Sequence, residues 1–279
     1  MLRTQTYIVN GSFDYVISPL DRGFAYGDGV FRTMVVRQGL PECWPQHYQK
    51  LVADCAAIKI VCPSAELLIS DIQQLFSEQE ITENLTKIIK IIITRGEGER
   101  GYAPPAITNP LRVLIKTDIR TYPNNYFTEG VHLHVCKTRL SAQPLLAGIK
   151  HLNRLENVLA RMEWTDPGIT DGIMLDAHQH VIECTSANIF IRHADTLTTP
   201  KLNQCGVAGI TRQRILNLAH LVGLTVKVES FDLDRLLVAD EVLISNSLYG
   251  VFQVKSVQKK MWESTSLAAD FRTILKENL

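Results

Sequence analysis

The fold class of this chain can be inferred from one stretch, Gly148-Ile149-Lys150-His151-Leu152-Asn153-Arg154-Leu155-Glu156-Asn157. Lys150 directly follows the apolar run 145–149, where a solvated lysine is unexpected. Burial disfavours the charged ammonium, so a lysine held there becomes a nucleophilic amine that can form Schiff bases. Taken alone, the same residue also fits a surface lysine at a helix start, and His151 fits an ordinary hydrogen-bonded histidine.

Two stretches further along the chain place polar groups beside predicted element ends. Glu183 ends a predicted strand and precedes small polar residues, so its carboxylate can face a cavity. Gly209, Ile210 and Thr211 open a predicted helix, where unpaired N–H groups and the Thr211 hydroxyl suit a phosphate. Singly, Glu183 also fits an exposed carboxylate and Thr211 a helix cap. Together, an imine-forming lysine, a carboxylate for a pyridinium nitrogen and a phosphate site are what pyridoxal 5'-phosphate requires.

The N-terminal stretch 21–33 has three glycines within seven residues, which lets the main chain approach a ligand or another surface closely. Alone, this stretch is typical of a glycine-rich turn that leads into a strand. The sequence contains no G-x-G-x-x-G after a strand and no Walker A pattern, which argues against dinucleotide binding and P-loop chemistry.

Hydrophobic periodicity and turn residues predict many short elements. Helices are expected at 45–60, 64–80, 153–163, 210–222, 233–238 and 262–278. Strands are expected at 7–10, 15–17, 29–37, 40–44, 85–94, 111–117, 131–138, 171–176, 180–183, 186–192, 196–199, 224–229 and 241–245. Because strands outnumber helices without regular alternation, we predict an α+β fold. It comprises an N-terminal α/β domain at 1–117, a linker at 118–130 and a C-terminal cofactor-binding domain at 131–279.

The composition is that of an ordinary globular protein of 279 residues, 46% hydrophobic and 21% charged. Twenty-nine basic residues balance 29 acidic ones, so no electrostatic footprint for nucleic acid or an anionic membrane is present. Apolar runs are far shorter than the roughly 20 residues that span a bilayer, and the N-terminus lacks the apolar region of a secretory signal. Six scattered cysteines without a CxxC pair are typical of a reducing compartment. We therefore expect a cytoplasmic protein that acts on a small molecule.

The order and spacing of these segments resemble the fold-type IV pyridoxal-phosphate enzymes, which include branched-chain and D-amino-acid aminotransferases and 4-amino-4-deoxychorismate lyases. The resemblance runs from Asn10-Gly11 to about Val257. Within the group the lyases are most similar, through the segment 148–156 and through Arg95-Gly96-Glu97-Gly98-Glu99-Arg100-Gly101-Tyr102. The resemblance implies a smaller N-terminal domain, a larger C-terminal domain with a barrel-like sheet, and a homodimer.

The resemblance also implies roles for individual residues. Lys150 corresponds to the Schiff-base lysine and Glu183 to the partner of the pyridine nitrogen. The expected phosphate ligands are Ile210, Thr211, Ser247 and Lys50. Lys50 stands where the family usually has an arginine, so it keeps the charge but loses the bidentate fork. Arg100 and Tyr26 are expected to contact the substrate, with Arg100 holding a carboxylate, and Thr33 is expected to assist catalysis.

The activity that this resemblance implies is the lyase reaction, which converts 4-amino-4-deoxychorismate to 4-aminobenzoate, a folate precursor, and pyruvate. A class IV aminotransferase acting on D-amino acids or branched-chain amino acids shares the same machinery and is the main alternative. A member that has lost catalysis is a second alternative, suggested by Lys50 alone. A metal enzyme using His132, His134 or the pair His178 and His180 lacks an evident third ligand, so no metal is expected.

Overall fold

The computed structural model describes residues 6–278. The chain divides into two compact units. The first contains the chain up to Arg120 together with Lys150–Asn153, and the second contains Thr121–Ile149 and the chain from Arg154 onward. Two details differ from the sequence-based division. The predicted linker 118–130 contains a helix, Asn124–Thr128, that belongs to the second unit. Residues 150–153, predicted within the C-terminal domain, join the first unit because they pair with the edge of one of its strands.

The first unit is built on one antiparallel sheet. Its elements are β1 (Tyr7–Val9), α1 (Arg22–Tyr26), β2 (Gly29–Arg37), β3 (Leu40–Pro41), α2 (Trp44–Ala57), α3 (Ala65–Gln74), α4 (Glu78–Thr82), β4 (Thr86–Thr94) and β5 (Leu111–Asp118). The strand order is β1-β5-β4-β2-β3. On the buried face of the sheet, Ile89, Ile91 and Ile93 of β4 oppose Met34, Arg32 and Val30 of β2. The other face is only partly covered, since Lys90 and Ile92 are half-buried there.

The second unit holds a larger mixed sheet. Its elements are α5 (Asn124–Thr128), β6 (Val131–Leu140), α6 (Leu155–Arg161), β7 (Ile169–Asp176), β8 (Val181–Cys184), β9 (Asn188–His193), β10 (Thr196–Thr199), α7 (Ile210–Leu218), a 3₁₀ helix (Ala219–Val222), β11 (Thr225–Val228), α8 (Leu233–Leu237), β12 (Glu241–Asn246), β13 (Gly250–Val257), β14 (Lys260–Met261) and α9 (Leu267–Glu277). The strand order is β11-β10-β9-β12-β13-β6-β7-β8, with β14 paired to β13. A small sheet plus a larger curled sheet confirms the predicted α+β architecture.

Several predicted elements differ in the structure. Residues 15–17 form no strand. The glycine-rich stretch contains a short helix, α1, which Asp21 caps by accepting a hydrogen bond from the Phe24 N–H. The helix predicted at 64–80 ends at Gln74, and a capping box between Ser77 and Glu80 starts a separate helix, α4. The long final helix begins later than predicted, and β13 was not predicted at all.

The side chain of Glu163, just after α6, accepts hydrogen bonds from the main chain of β6 at a point where the pairing of that strand is irregular. The pairing of β6 with β7 shifts register between Val135 and Arg139. Glu163 accepts hydrogen bonds from the main-chain N–H groups of Lys137 (2.6 Å) and Thr138 (2.7 Å) and from the Thr138 hydroxyl. Burial alone would raise the pKa of this carboxyl, but these hydrogen bonds outweigh it and lower the pKa to about 2.

We expect Glu163 to make the free energy of unfolding of the protein depend on pH in the acid range. Because the folded-state pKa lies below the usual value near 4.5, the stabilisation is complete above about pH 5 and is lost as the pH falls toward about 2. Urea unfolding should give Glu163→Gln a lower free energy of unfolding than the wild type at neutral pH. The difference between the two proteins should narrow as the pH falls. Glu277→Gln, at an exposed position, is the control. A deficit of constant size across this range would contradict the prediction.

Candidate active site

The main chain of Lys150 is fixed at the edge of β2. The Phe31 N–H donates to the Lys150 carbonyl (2.9 Å), and the Leu152 N–H donates to the Gly29 carbonyl (3.0 Å). The Lys150 N–H donates to the carboxylate of Asp54 at 3.2 Å. The side chain of Lys150 is half-buried, and its Nζ lies 4.6 Å from the centroid of the Phe31 ring. The lysine singled out by the sequence therefore has a defined main-chain position rather than lying on a free surface loop.

A second lysine, Lys90, which was not singled out from the sequence, lies on the partly covered face of the sheet of the first unit. Lys90 Nζ is 4.8 Å from the same Phe31 ring, so the two ammonium groups are at most 9.4 Å apart, the sum of the two distances. Lys90 is the cross-strand neighbour of Thr33. Within residues 6–278, no carboxylate lies within 4 Å of Lys90 Nζ. A lysine inside the apolar run 88–93 was the available sequence signal.

The neighbouring lysines of the same sheet are neutralised, in contrast to Lys90. Lys87 forms ion pairs with Asp118 (2.7 Å) and Glu80 (3.5 Å). Lys116 pairs with Glu80 at 2.7 Å. A half-buried lysine without a carboxylate partner leaves positive charge directed at the partly covered face of the sheet, beside Phe31 and Thr33. That arrangement suits an anionic ligand.

Lys50, the expected phosphate ligand of the first unit, forms an ion pair with Asp54. Burial lowers the pKa of the Lys50 ammonium, and the Asp54 carboxylate opposes this shift. The same carboxylate also pairs with Arg32, whose guanidinium is buried and whose pKa is lowered by burial. The charge of Lys50 is thus shared with a buried carboxylate, and its assignment as a phosphate ligand remains a prediction.

The predicted substrate residues Arg100 and Tyr26 belong to the loop between β4 and β5 and its neighbourhood. Arg100 is exposed. The Tyr26 hydroxyl accepts a hydrogen bond from the Gly101 N–H (3.2 Å), and its ring lies 5.5 Å from that of Tyr102. The loop is held by buried Arg22, which donates to the carbonyls of Gly101 (3.0 Å) and Tyr102 (2.8 Å). The structure thus places Tyr26 next to the segment that carries Arg100, and both substrate roles remain predictions.

In the second unit, Glu183 is buried at the end of β8. It is 4% exposed, and its Oε2 accepts the Val207 N–H at 2.8 Å. The same loop pairs with Gly148, whose N–H donates to the Gly206 carbonyl (2.9 Å) and whose carbonyl accepts the Ala208 N–H (3.1 Å). The loop 206–208 therefore ties the carboxylate of Glu183 to the chain segment that leads into Lys150.

The loop continues into the N-terminus of α7, where the predicted phosphate ligands lie. Asn188 holds this turn by accepting the Gly209 N–H (3.1 Å) and donating to the Val207 carbonyl (2.8 Å). A Cβ at Gly209 would contact the Asn188 Oδ1, so a larger residue would have to displace the amide that holds this turn. No side chain caps this helix among the described residues, and Ile210 and Thr211 are buried in its first turn.

Ser247 lies immediately after β12, near the same turn. In the register of β12 with β9, Ser245 is paired with Asn188. The Asn246 side chain donates to the Ser186 carbonyl at 3.3 Å. The structure of the second unit thus brings together the strand end that carries Ser247, the segment 183–188 and the start of α7.

The groups present fit pyridoxal phosphate. Taken separately, the first unit contains a primary amine on a fixed main chain, and the second contains a buried carboxylate and a helix start without a side-chain cap among the described residues. For a metal, the described residues contain no cluster of three or more histidine, cysteine or acidic side chains. His132 contacts Ser256 and His134 contacts Glu163.

Comparison with known proteins gives the family. The model of the class IV aminotransferases matches residues 29–257. An aminodeoxychorismate lyase of Vibrio harveyi is 37% identical over 85% of this chain and 86% of its own length. A D-alanine aminotransferase of Listeria monocytogenes is 31% identical over 84% and 80%, respectively. The crystal structure of 4-amino-4-deoxychorismate lyase from Pseudomonas aeruginosa superimposes with a TM-score of 0.89 at 37% identity, covering 98% of this chain and 99% of that one.

This chain belongs to the class IV aminotransferase family. The resemblance inferred from the sequence, to the fold-type IV enzymes and within them to the lyases, is confirmed by the family match and by the two lyases at 37% identity. Within residues 6–278, the helices are all too short or too polar to cross a membrane.

Proposed function

We propose that this protein is a pyridoxal-phosphate-dependent lyase that converts 4-amino-4-deoxychorismate to 4-aminobenzoate and pyruvate. The observation that carries the proposal is the 37% identity to aminodeoxychorismate lyases over most of the chain, in both sequence and structure. The fixed main chain of Lys150 and the buried carboxylate of Glu183 support it. The reaction would supply a precursor of folate.

Each proposed residue has a definite task. When bound, pyridoxal phosphate supplies an electron-withdrawing ring that takes up the electron pair released at the amine-bearing carbon of the substrate. Glu183 keeps the ring nitrogen protonated. The start of α7, with Ile210 and Thr211, holds the phosphate, and Ser247 and Lys50 are proposed to assist.

The proton transfers are assigned to residues of the first unit. Lys150 Nζ takes the proton from the amine-bearing carbon of the substrate. Loss of that proton allows the enolpyruvyl group to leave the adjacent carbon, and the carbocycle of the substrate becomes aromatic. The Thr33 hydroxyl, on the same strand as Phe31, is proposed to protonate the departing enolpyruvate. Arg100 and Tyr26 are proposed to contact the substrate from the β4–β5 loop.

We expect Lys90 to bind a carboxylate of this substrate. Lys90→Met should raise KM for aminodeoxychorismate about tenfold, the loss of one charge-assisted hydrogen bond, with little change in kcat. Lys90→Arg should retain most of the affinity. Steady-state kinetics test this, and Lys87→Met is a matched control because its ammonium is already paired with Asp118 and Glu80. An unchanged KM in Lys90→Met would contradict the assignment.

The proposed activity is tested by supplying enzymatically made aminodeoxychorismate to the holoenzyme. Release of 4-aminobenzoate with an equal amount of pyruvate supports the lyase. Amino transfer from D-alanine to a keto acid that is faster than lyase turnover would reassign the protein to the aminotransferases, such as the Listeria relative.

The protein is also proposed to act as a homodimer in the cytoplasm. Three apolar side chains along one face of α6, and that of the residue immediately after it, are exposed, namely Leu155, Val158, Leu159 and Met162. Such a stripe is typical of a surface that another chain covers. All six cysteines are free thiols, in keeping with a reducing compartment. Sedimentation velocity of the purified protein tests the dimer, and a monomer at micromolar concentration would refute it.

A further inference from the structure

Asp54 is a buried carboxylate that binds three different parts of the first unit. It lies on the apolar face of α2, one turn after Leu51, and is 1% exposed. Its Oδ2 accepts the main-chain N–H of Lys150 at 3.2 Å and the guanidinium of Arg32. Its Oδ1 accepts the ammonium of Lys50. The catalytic scheme proposed above does not use this carboxylate.

The two cations hold the carboxylate in place. Removing a charge from water is costly, so a buried carboxylate persists only when it is paired and hydrogen-bonded. Arg32 is 3% exposed and directs its guanidinium to Asp54, while its Nε has no partner among the described residues. Lys50 has a side chain that is 25% exposed and approaches from the solvent side. Asp54 is therefore anchored from two directions and has little freedom to rotate.

We infer that Asp54 is a positioning residue for Lys150. It holds the N–H of Lys150, the Phe31 N–H holds the carbonyl, and Arg32 and Lys50 hold Asp54 itself. The inference rests on the proposed role of Lys150 as the cofactor-binding lysine. Asp54 touches neither substrate nor cofactor in this scheme and acts only through the main chain of Lys150.

Loss of this contact should affect reactivity more than substrate binding. With the contact to Asp54 gone, the peptide that precedes Lys150 keeps only the hydrogen bond that its carbonyl, on Ile149, accepts from Arg154 (2.8 Å). It can then tilt about that bond and carry the side chain of Lys150 with it. Displacements of about 1 Å at a reacting group can lower rates by roughly 10²-fold. The inference therefore predicts a fall in kcat and in the rate of bond formation with pyridoxal phosphate, with KM for the substrate nearly unchanged.

The test separates the hydrogen bond from the buried charge. Asp54→Asn alone would leave the buried guanidinium of Arg32 without a carboxylate partner. All variants are therefore made in the Arg32→Met background. Arg32→Met/Asp54→Asn keeps an oxygen that can accept the Lys150 N–H. Arg32→Met/Asp54→Leu fills the same space without an acceptor, and replacing a buried ion pair by apolar residues is often neutral for stability. Arg32→Met/Asp54→Ala repeats the comparison should the leucine variant not fold.

The first readout is the rate at which pyridoxal phosphate forms a borohydride-stable bond to the peptide containing Lys150, followed by mass spectrometry. The second is kcat and KM for the lyase reaction, and the third is the thermal midpoint of the apoprotein. We expect the asparagine variant to label within about threefold of Arg32→Met, and the leucine variant at least about tenfold more slowly at a similar midpoint.

Equal labelling rates in the asparagine, leucine and alanine variants would overturn the inference, as would a loss confined to KM. The inference and the proposed function can fail separately. If the wild-type protein releases no 4-aminobenzoate but the labelling rates follow the expected order, the proposed function fails and the role of Asp54 stands. If the wild-type protein is an active lyase and the order is absent, the role of Asp54 fails alone.

Discussion

Lys150→Ala should abolish lyase turnover, with a loss of at least about 10⁴-fold in kcat, because one amine is assigned both attachment of the cofactor and removal of the substrate proton. The side chain is half-buried, while its main-chain contacts to Asp54 and Phe31 do not depend on the side chain. The variant should therefore keep the wild-type fold. The measurements are release of 4-aminobenzoate and the borohydride-stable bond to the peptide 148–157.

The matched control for this variant is Lys137→Ala, which removes an exposed lysine of β6. It should leave both turnover and labelling unchanged. Turnover by Lys150→Ala close to that of the wild type would end the assignment of Lys150. Labelling at another lysine of the wild-type protein would show instead that the cofactor binds elsewhere.

Glu183→Gln should lower kcat by about 10²- to 10³-fold, the second largest expected effect. Glutamine keeps a side-chain oxygen that can accept the Val207 N–H, so the loop that leads into α7 should remain in place. The amide has no negative charge, however, and cannot keep a proton on the ring nitrogen of the bound cofactor. The loss should therefore appear in kcat and in the visible absorption of the cofactor, and not in the thermal midpoint.

Glu241→Gln is the control for burial in the same unit. Glu241, on β12, is fully buried and forms an ion pair at 3.1 Å with Arg192, which lies on β9. Its replacement should lower the thermal midpoint while leaving the cofactor spectrum as in the wild type. A Glu183→Gln protein with wild-type kcat and spectrum would show that another group supports the ring nitrogen.

Local patterns predicted many individual elements well. The hairpin of β2 and β3, turning at Gln38 and Gly39, follows from alternating apolar residues and a turn signal. Other elements depended on context. Residues 15–17 have strand-forming side chains, but no strand within residues 6–278 pairs with them. The strand β13 was missed, although it lies between β12 and β6 near the centre of the larger sheet. Pairing partners, which local pattern does not reveal, decide these cases.

The site shows the same division between local and long-range information. Lys150 and Glu183 could be proposed from the sequence because a lysine after an apolar run and a carboxylate at a strand end are locally unusual. Asp54 and Lys90 were not recognised. A carboxylate on the apolar face of α2 gains meaning only when Arg32 and the Lys150 N–H are found against it. Lys90 becomes a candidate for ligand binding only when the structure shows that its neighbours Lys87 and Lys116 are paired with carboxylates.

The family, the cofactor class and the α+β fold could all be inferred from the sequence, because motif spacing and hydrophobic period are properties of the chain. Only the tertiary structure showed that residues 150–153 join the edge of β2 and that Asp54 receives the Lys150 N–H. Asp54 and Lys150 are 96 residues apart. Contacts over such separations form because burial leaves hydrogen-bonding groups in need of partners, and packing alone decides which partners come within reach.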